Sequence, residues 1–338
     1  MVTALLTAPN RPRLRRCLWL LLVATSSYAQ VCQSAPDLNA TVRNALETAA
    51  LRYFEISARG DTAALKQNAI ASVAANFTGI EAAVKENQVA FNSAQATVRA
   101  PFLLTADGPE SFARAEFLCG VFGKDGQTSD SAVFVLPNLP PGKYGVAILD
   151  VNGSQATTTL TLVLQQEGAD WKLAGFYARP SQAAGHDAAW FIQHARGFKA
   201  KSQNHNAWLY YREAIALSAP VDFMSTLATD KLYDETQAAE PADVPAHDRI
   251  MEISAAGKLY HVAEVFPLAI GADLDVVVKY QAADVSNTAL TFQENVVVIK
   301  ALVAKFPEFR EAFAGVVARA VELSGRDYGT LLTMKEIK

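Results

Sequence analysis

The sequence predicts an α+β fold on three observations. Apolar residues recur at helical spacing over the first third of the chain, alternate with a two-residue period between Gln95 and Arg179, and return to helical spacing after residue 184. Val42, Leu46, Ala49, Tyr53 and Ile56 lie three or four residues apart and define one apolar helical face over about 38–57. Asp37 or Asn39 can cap that helix, because a short side-chain oxygen accepts a hydrogen bond from the free amides of the first turn. Arg59-Gly60-Asp61 then stops it and starts another: glycine tolerates the left-handed stop conformation and aspartate caps the second helix. Further helices are expected through Ile70 and over about 77–88.

Strands come next. Leu160, Leu162 and Leu164 alternate with Thr159, Thr161 and Val163, and Tyr144, Val146 and Ile148 show the same period. A turn near Gly168-Ala169-Asp170 leads into Trp171, Leu173, Gly175 and Tyr177. Leu139-Pro140-Pro141-Gly142-Lys143 supplies another turn, with proline fixing one torsion and glycine the positive one after it. This predicts five or six strands of an antiparallel sheet after helices.

Phe191, Ala195, Phe198, Ala207, Tyr211 and Ala214 mark a helical hairpin over 184–220. Residues 221–248 include Thr236 to Pro245, rich in Ala, Glu and Pro, and read as a linker. A smaller C-terminal α+β domain over 249–338 is expected. It has strands at Lys258 to Phe266 and Leu274 to Tyr280, a helix from Asn287 to Phe306 that stops before Pro307, and a hairpin turning at Ser324-Gly325-Arg326. Ninety residues or so can hold a core of their own.

The first 29 residues have the order of a cleavable export signal. Arg11, Arg13, Arg15 and Arg16 precede an apolar run, Cys17 to Ala24, and small residues end in Ser27-Tyr28-Ala29. That run is far below the ~20 apolar residues of a membrane-spanning helix, so cleavage after Ala29 is expected, with release into the periplasm or medium. No later segment is long and apolar enough for stable membrane insertion. With 51% hydrophobic and 19% charged residues the chain is that of an ordered globular protein. The leader holds four of the 30 basic residues and no acid, leaving 26 basic against 34 acidic residues, a net charge of −8. That sign, without any basic run, argues against nucleic acid as a partner. Two cysteines remain after cleavage, Cys32 and Cys119, and an oxidising compartment permits a single disulfide between them. The alternative is an exposed Cys32 and an inert buried Cys119.

Helices followed by a sheet that ends in Trp171-Lys172-Leu173-Ala174-Gly175-Phe176-Tyr177 resemble the nuclear-transport-factor-two-like, or ketosteroid-isomerase-like, cone fold over about 37–180. The resemblance implies helices on a curved antiparallel sheet wrapped around one apolar pocket, in a family that includes both enzymes and non-catalytic binding domains. It makes Phe117, Tyr144, Ile148, Trp171 and Phe176 the expected ligand-binding residues, and Glu116 and Asp150 the carboxylates an isomerase, lyase or hydrolase would use. Leu139-Pro140-Pro141-Gly142-Lys143-Tyr144 is also similar to a turn of transthyretin-like β-sandwiches, against which the helical first third argues. The 184–220 hairpin resembles one tetratricopeptide helix pair; a single copy reads as a hairpin docked on a neighbour.

No phosphate loop, dinucleotide-binding glycine pattern or Gly-x-Ser-x-Gly elbow occurs, and no cofactor is expected. His186, His194 and His205 lack the spacing of convergent metal ligands, so no metal site is expected; His194 reads as a hydrogen-bonded packing residue and His186-Asp187 as a helix start. Three Asn-x-Ser/Thr triplets begin at Asn39, Asn76 and Asn152; behind a bacterial-type leader they carry no modification. The expectation is an exported soluble protein that binds a protein or a small apolar ligand without catalysis; the alternative is a pocket enzyme of the cone type.

Overall fold

The computed structural model describes residues 30–154, 156–246 and 249–338, and the expected leader, 1–29, lies outside the described residues. The protein is α+β. Its first part runs β1 (Gln30–Gln33), α1 (Ala40–Ala58), α2 (Thr62–Gln67), α3 (Ala71–Ala75), α4 (Thr78–Glu86), α5 (Gln88–Phe91), β2 (Gln95–Val98), β3 (Phe102–Ala106), β4 (Phe112–Gly123), β5 (Gly126–Leu139), β6 (Gly142–Asn152), β7 (Thr157–Glu167) and β8 (Asp170–Pro180). The second part runs β9 (Gln182–Ala183), β10 (His186–Asp187), α6 (Ala188–Ala200), α7 (Asn204–Ser218), β11 (Met224–Thr226), α8 (Leu227–Gln237), β12 (Met251–Ala255), β13 (Lys258–Ile270), β14 (Asp273–Gln281), α9 (Thr288–Lys305), α10 (Phe309–Ala312), β15 (Gly315–Val321) and β16 (Asp327–Thr333).

Helix α1 begins and ends as its residues dictate. The Asn39 side chain accepts from Val42 N at 2.9 Å. At the other end Gly60, at φ +69°, lets its own amide reach Ser57 O and the Asp61 amide reach Ile56 O, which satisfies two end carbonyls. Strands β1, β3, β6, β7 and β8 form one antiparallel sheet, with β2 also on β6, and alternation along them builds two cores. Ala147, Leu149, Val151, Leu160, Leu162 and Leu164 meet Leu46, Ala50, Tyr53, Phe54 and Phe91 of the helices. Tyr144, Val146 and Val163 face the other way, against Phe117, Cys119, Ala132 and Phe134 of the β4–β5 hairpin. The N-terminal half is therefore three layers: helices, sheet, second sheet.

The second sheet, in the order β11-β5-β4, is tied to the first by a disulfide between Cys32 of β1 and Cys119 of β4, with Cα atoms 5.1 Å apart. Its β4 strand kinks at Gly120, where φ is +79° and an added Cβ would sit 2.0 Å from the Asp130 carbonyl oxygen; only glycine fits.

The segment 221–248, expected to be a linker, instead contains a strand and a helix. β11 pairs with β5, and α8 is closed by a Thr226/Thr229 capping box with Leu232 and Thr236 buried. The Ala-, Glu- and Pro-rich composition masked an ordinary capped helix. The helical pair α6–α7 and the C-terminal sheet, in the order β12-β13-β14-β15-β16, share one core that includes Phe191, Tyr211, Val276, Ile299 and Val316. Residues 184–220 and 249–338 thus form a single packed unit. Its polar interior is paired at the centre: Tyr280 Oη donates to Asn295 Oδ1 at 2.8 Å, and Asn295 Nδ2 donates to Thr330 Oγ1 at 2.9 Å. β14 and β15 run parallel, with α9 as the crossover such a pair needs.

Replacing Cys32 and Cys119 by serine frees a loop of 87 residues in the unfolded chain. The chain-entropy relation then gives a loss of about 4 to 5 kcal/mol, read as a lower urea midpoint for the double serine variant than for the oxidised protein.

Candidate functional site

The five residues that the cone resemblance nominates do not line one cavity. Phe117 and Tyr144 are buried between the two N-terminal sheets, whereas Trp171 and Phe176 are buried beneath the helices. Ile148 lies on the Tyr144 side of β6 by strand alternation and is also buried. A covered sheet has two faces, and these side chains fill both. The two nominated carboxylates are at the surface. Glu116 is half exposed beside Arg114. Asp150 is held by two parallel hydrogen bonds from Arg99, which keep its carboxyl below the usual range against the opposing effect of partial burial.

A ligand-sized cavity lies in the C-terminal half, at an irregularity in β13. Tyr260 and Val262 point into the core, but the next core residue is Val265, because the β13–β14 register shifts between Val262 and Glu264. This bulge turns Glu264 onto the same side as His261, the side away from the core. There a cavity of about 570 Å³ is lined by His261, Ala263, Glu264, Lys279, Gln281 and Val321, and closed at its rim by Ala282, Ala283 and Leu323. Such a volume lies within the ~300–1,000 Å³ range of small-molecule pockets. Its polar groups already have neighbours: Lys279 Nζ is 2.8 Å from Glu264, and His261 Nδ1 is 3.7 Å from Glu252. The rim is fixed by Glu322, whose carboxylate accepts from Val285 N at 2.8 Å, Ser324 Oγ at 2.9 Å and Arg326 Nε at 2.9 Å. Apolar walls and a few fixed polar groups suit a mainly apolar molecule with one polar end.

Across Ala263 and Glu264 lies a second cleft of about 510 Å³, walled by Trp208, Arg212, Glu240 and Val265. The Arg212 guanidinium sits 4.8 Å from the Trp208 ring centre and donates to Val265 O at 2.7 Å. This bond fastens α7 to β13 beyond the end of β12, where β13 would otherwise leave a free edge. Next to Arg212, burial pushes the Glu213 carboxyl up to about 6, with the Arg212 charge pulling the other way.

His186 and His194 serve packing, while His205 of α7 sits between two carboxylates, 2.7 Å from Glu308 and 2.8 Å from Asp243. Asp187 caps α6 by accepting from Trp190 N at 2.9 Å, and the Trp190 ring is stacked between His186 and His194, 3.7 Å from each. His194 Nδ1 is 2.9 Å from Trp190 O, the structural bond expected of it. Among the described residues no group of three or more His, Cys, Asp or Glu is placed to hold a metal ion.

No protein-family model, no curated protein and no solved structure matches this chain. The bulge cavity was not anticipated from the sequence. A signal for it was present: apolar residues at 260, 262 and then 265 step by three inside a two-residue period, which marks an inserted residue.

Because Glu213 has a raised carboxyl pKa in the fold, its contribution favours the native state below about 4.5 and is lost as pH rises to about 6. Glu213→Gln abolishes that loss. The variant is expected to equal the parent at pH 4 and to be more stable by about 2 kcal/mol at pH 7.5, in urea unfolding at the two pH values.

Proposed function

We propose that the chain is an exported soluble protein of the bacterial cell envelope that binds a small, largely apolar molecule at the β13 bulge without transforming it. The observation that carries this reading is the bulge cavity itself: ligand-sized, mainly apolar-walled, and with Lys279 and Glu264 of its lining paired to each other. An apolar body can enter it without separating an ion pair, while His261 and Gln281 offer hydrogen bonds to a polar end. Export is supported by the leader and by the Cys32–Cys119 bridge, since such bonds persist in oxidising compartments. The Gln30 side chain, at the first residue expected after cleavage, accepts from Glu116 N. Among the described residues no helix is long and apolar enough to cross a membrane.

Two measurements test the two parts. Protein recovered from the periplasm of a bacterial host should begin at Gln30 and weigh two hydrogens less than after reduction; an intact Met1 terminus with free thiols would end the export reading. A fluorescent apolar probe such as N-phenylnaphthylamine should bind saturably, one per chain. Ala283→Trp, which fills the cavity mouth from an exposed position, should weaken that binding at least about tenfold. Equal uptake by parent and variant would place the ligand elsewhere.

A further inference from the structure

Among the described residues His205 alone has a carboxylate at each ring nitrogen: Glu308 Oε1 is 2.7 Å from Nδ1 and Asp243 Oδ1 is 2.8 Å from Nε2. The three side chains come from three stretches of chain. His205 is on α7, Glu308 stands between α9 and α10, and Asp243 lies in the segment between α8 and β12. The imidazole packs on Phe306, with ring centres 4.2 Å apart, and meets Phe309 edge-on. Its side chain is 17% exposed and that of Glu308 20%, whereas half of the Asp243 side chain reaches water.

Hydrogen-bond chemistry fixes the number of protons. An ionised carboxylate only accepts, and a neutral imidazole has one N–H and one bare nitrogen, so it can serve one carboxylate and not two. Both contacts form only when the three groups share one proton more. Asp243 does not hold it: burial pushes that carboxyl up, but the His205 hydrogen bond and charge, helped by Lys305, outweigh burial and keep it below the usual carboxylate range. Of the other two groups an imidazole is ordinarily the stronger base than a glutamate, by about two pH units, so the proton sits on His205. The surrounding charges agree. Lys305 Nζ lies 4.0 Å from Asp243, and Glu311 of α10 is already bonded to Lys201 and Gln203. With a neutral ring, Asp243 and Glu308 outnumber Lys305; an imidazolium balances them.

We infer that His205 is a proton-operated latch: with both ring nitrogens protonated it holds the segment between α8 and β12 against α7, and on losing one proton it lets Asp243 go. A neutral ring keeps its remaining N–H on Glu308, the less exposed carboxylate, because leaving that one unpaired costs more than turning Asp243 to water. Nε2 is then a lone pair aimed at a carboxylate, and the contact turns repulsive. Imidazoles change charge between about pH 5 and 8, so the latch is closed at the acid end of that range and open at the other. What moves is limited by what is buried nearby. Ala239 and Val244 are 6% and 2% exposed, and Arg249 Nε donates to Val244 O at 2.8 Å, so release is confined to residues 240–243. Within them Glu240, 3.4 Å from Arg249, is a wall of the second cleft beside Trp208 and Arg212, and that wall is the part of the molecule the proton controls. The latch depends on neither export nor a ligand at the bulge.

Nuclear magnetic resonance on nitrogen-15-labelled protein tests it. The expected result is two protonated ring nitrogens on His205 at about pH 5.5 and one at about pH 8, with the backbone order parameters of Ala242 and Asp243 falling from about 0.85 to below about 0.6 over the same interval. Asp243→Asn, at an exposed position, is the discriminating variant. Its side-chain amide can donate to a bare Nε2 or accept from a protonated one, so the segment should stay ordered at both pH values. A parent chain equally ordered at the two pH values overturns the inference. So does a His205 ring with a single proton at the lower pH, or a variant that loosens as the parent does.

Discussion

Each sheet of this protein has two faces, and the layer that covers each face decides the rest of the architecture. In the N-terminal half both faces of the main sheet are buried, one under α1 and its neighbours and the other under the β4–β5 hairpin. The apolar side chains of β6 and β7 that could have lined a pocket are committed to one core or the other. The cone resemblance implies a sheet wrapped around a cavity. Here the second sheet occupies the space such a cavity would need, and the Cys32–Cys119 bridge holds it there. In the C-terminal half the helices cover one face of the sheet, and the cavity is on the other.

The two halves are joined through elements too short to stand alone. β11 has three residues and is a strand only because β5 is already paired on its other side. Phe223 O accepts from Val135 N, the Tyr177 ring packs edge-on against Phe223, and Arg179 reaches Asp222. On the other side Asn206 Nδ2 donates to Glu308 O and Tyr210 Oη donates to Ala312 O, so α7 is fixed to the chain before β15. The helical pair is therefore a wall of the C-terminal core, as a lone pair must be when it has no repeat of its own kind to stack on.

How much of the fold is legible in the sequence depends on the range of the physics involved. α1, α9, the β7–β8 hairpin and the hairpin turning at Gly325 rest on local periodicity and caps, and each is found where its residues put it. β1 and β11 are four and three residues long, below the length at which alternation can be recognised, and exist through pairing with distant strands. α8 was obscured for a different reason. Its capping box closes with Thr229 in place of the Glu or Gln that gives the box its sequence signature, and its composition resembles a spacer. The candidate pocket residues were apolar and buried as read, but a strand's period says only that neighbours face opposite ways. It does not say whether the space on either side is filled.

The bulge cavity shows the same dependence on distant chain. His261 and Glu264 are brought to one side by a single inserted residue in β13, Gln281 and Ala283 come from the end of β14, and Val321 and Leu323 arrive only after the α9 crossover. The Glu322 carboxylate then ties the two loops together through Val285, Ser324 and Arg326. The β13–β14 register shifts at this point, and the next residue on that face, Phe266, lies beneath the Lys279 ammonium at 5.0 Å. Lys279 thus belongs to both places: its stem and charge cover Phe266 while its ion pair with Glu264 forms the cavity wall.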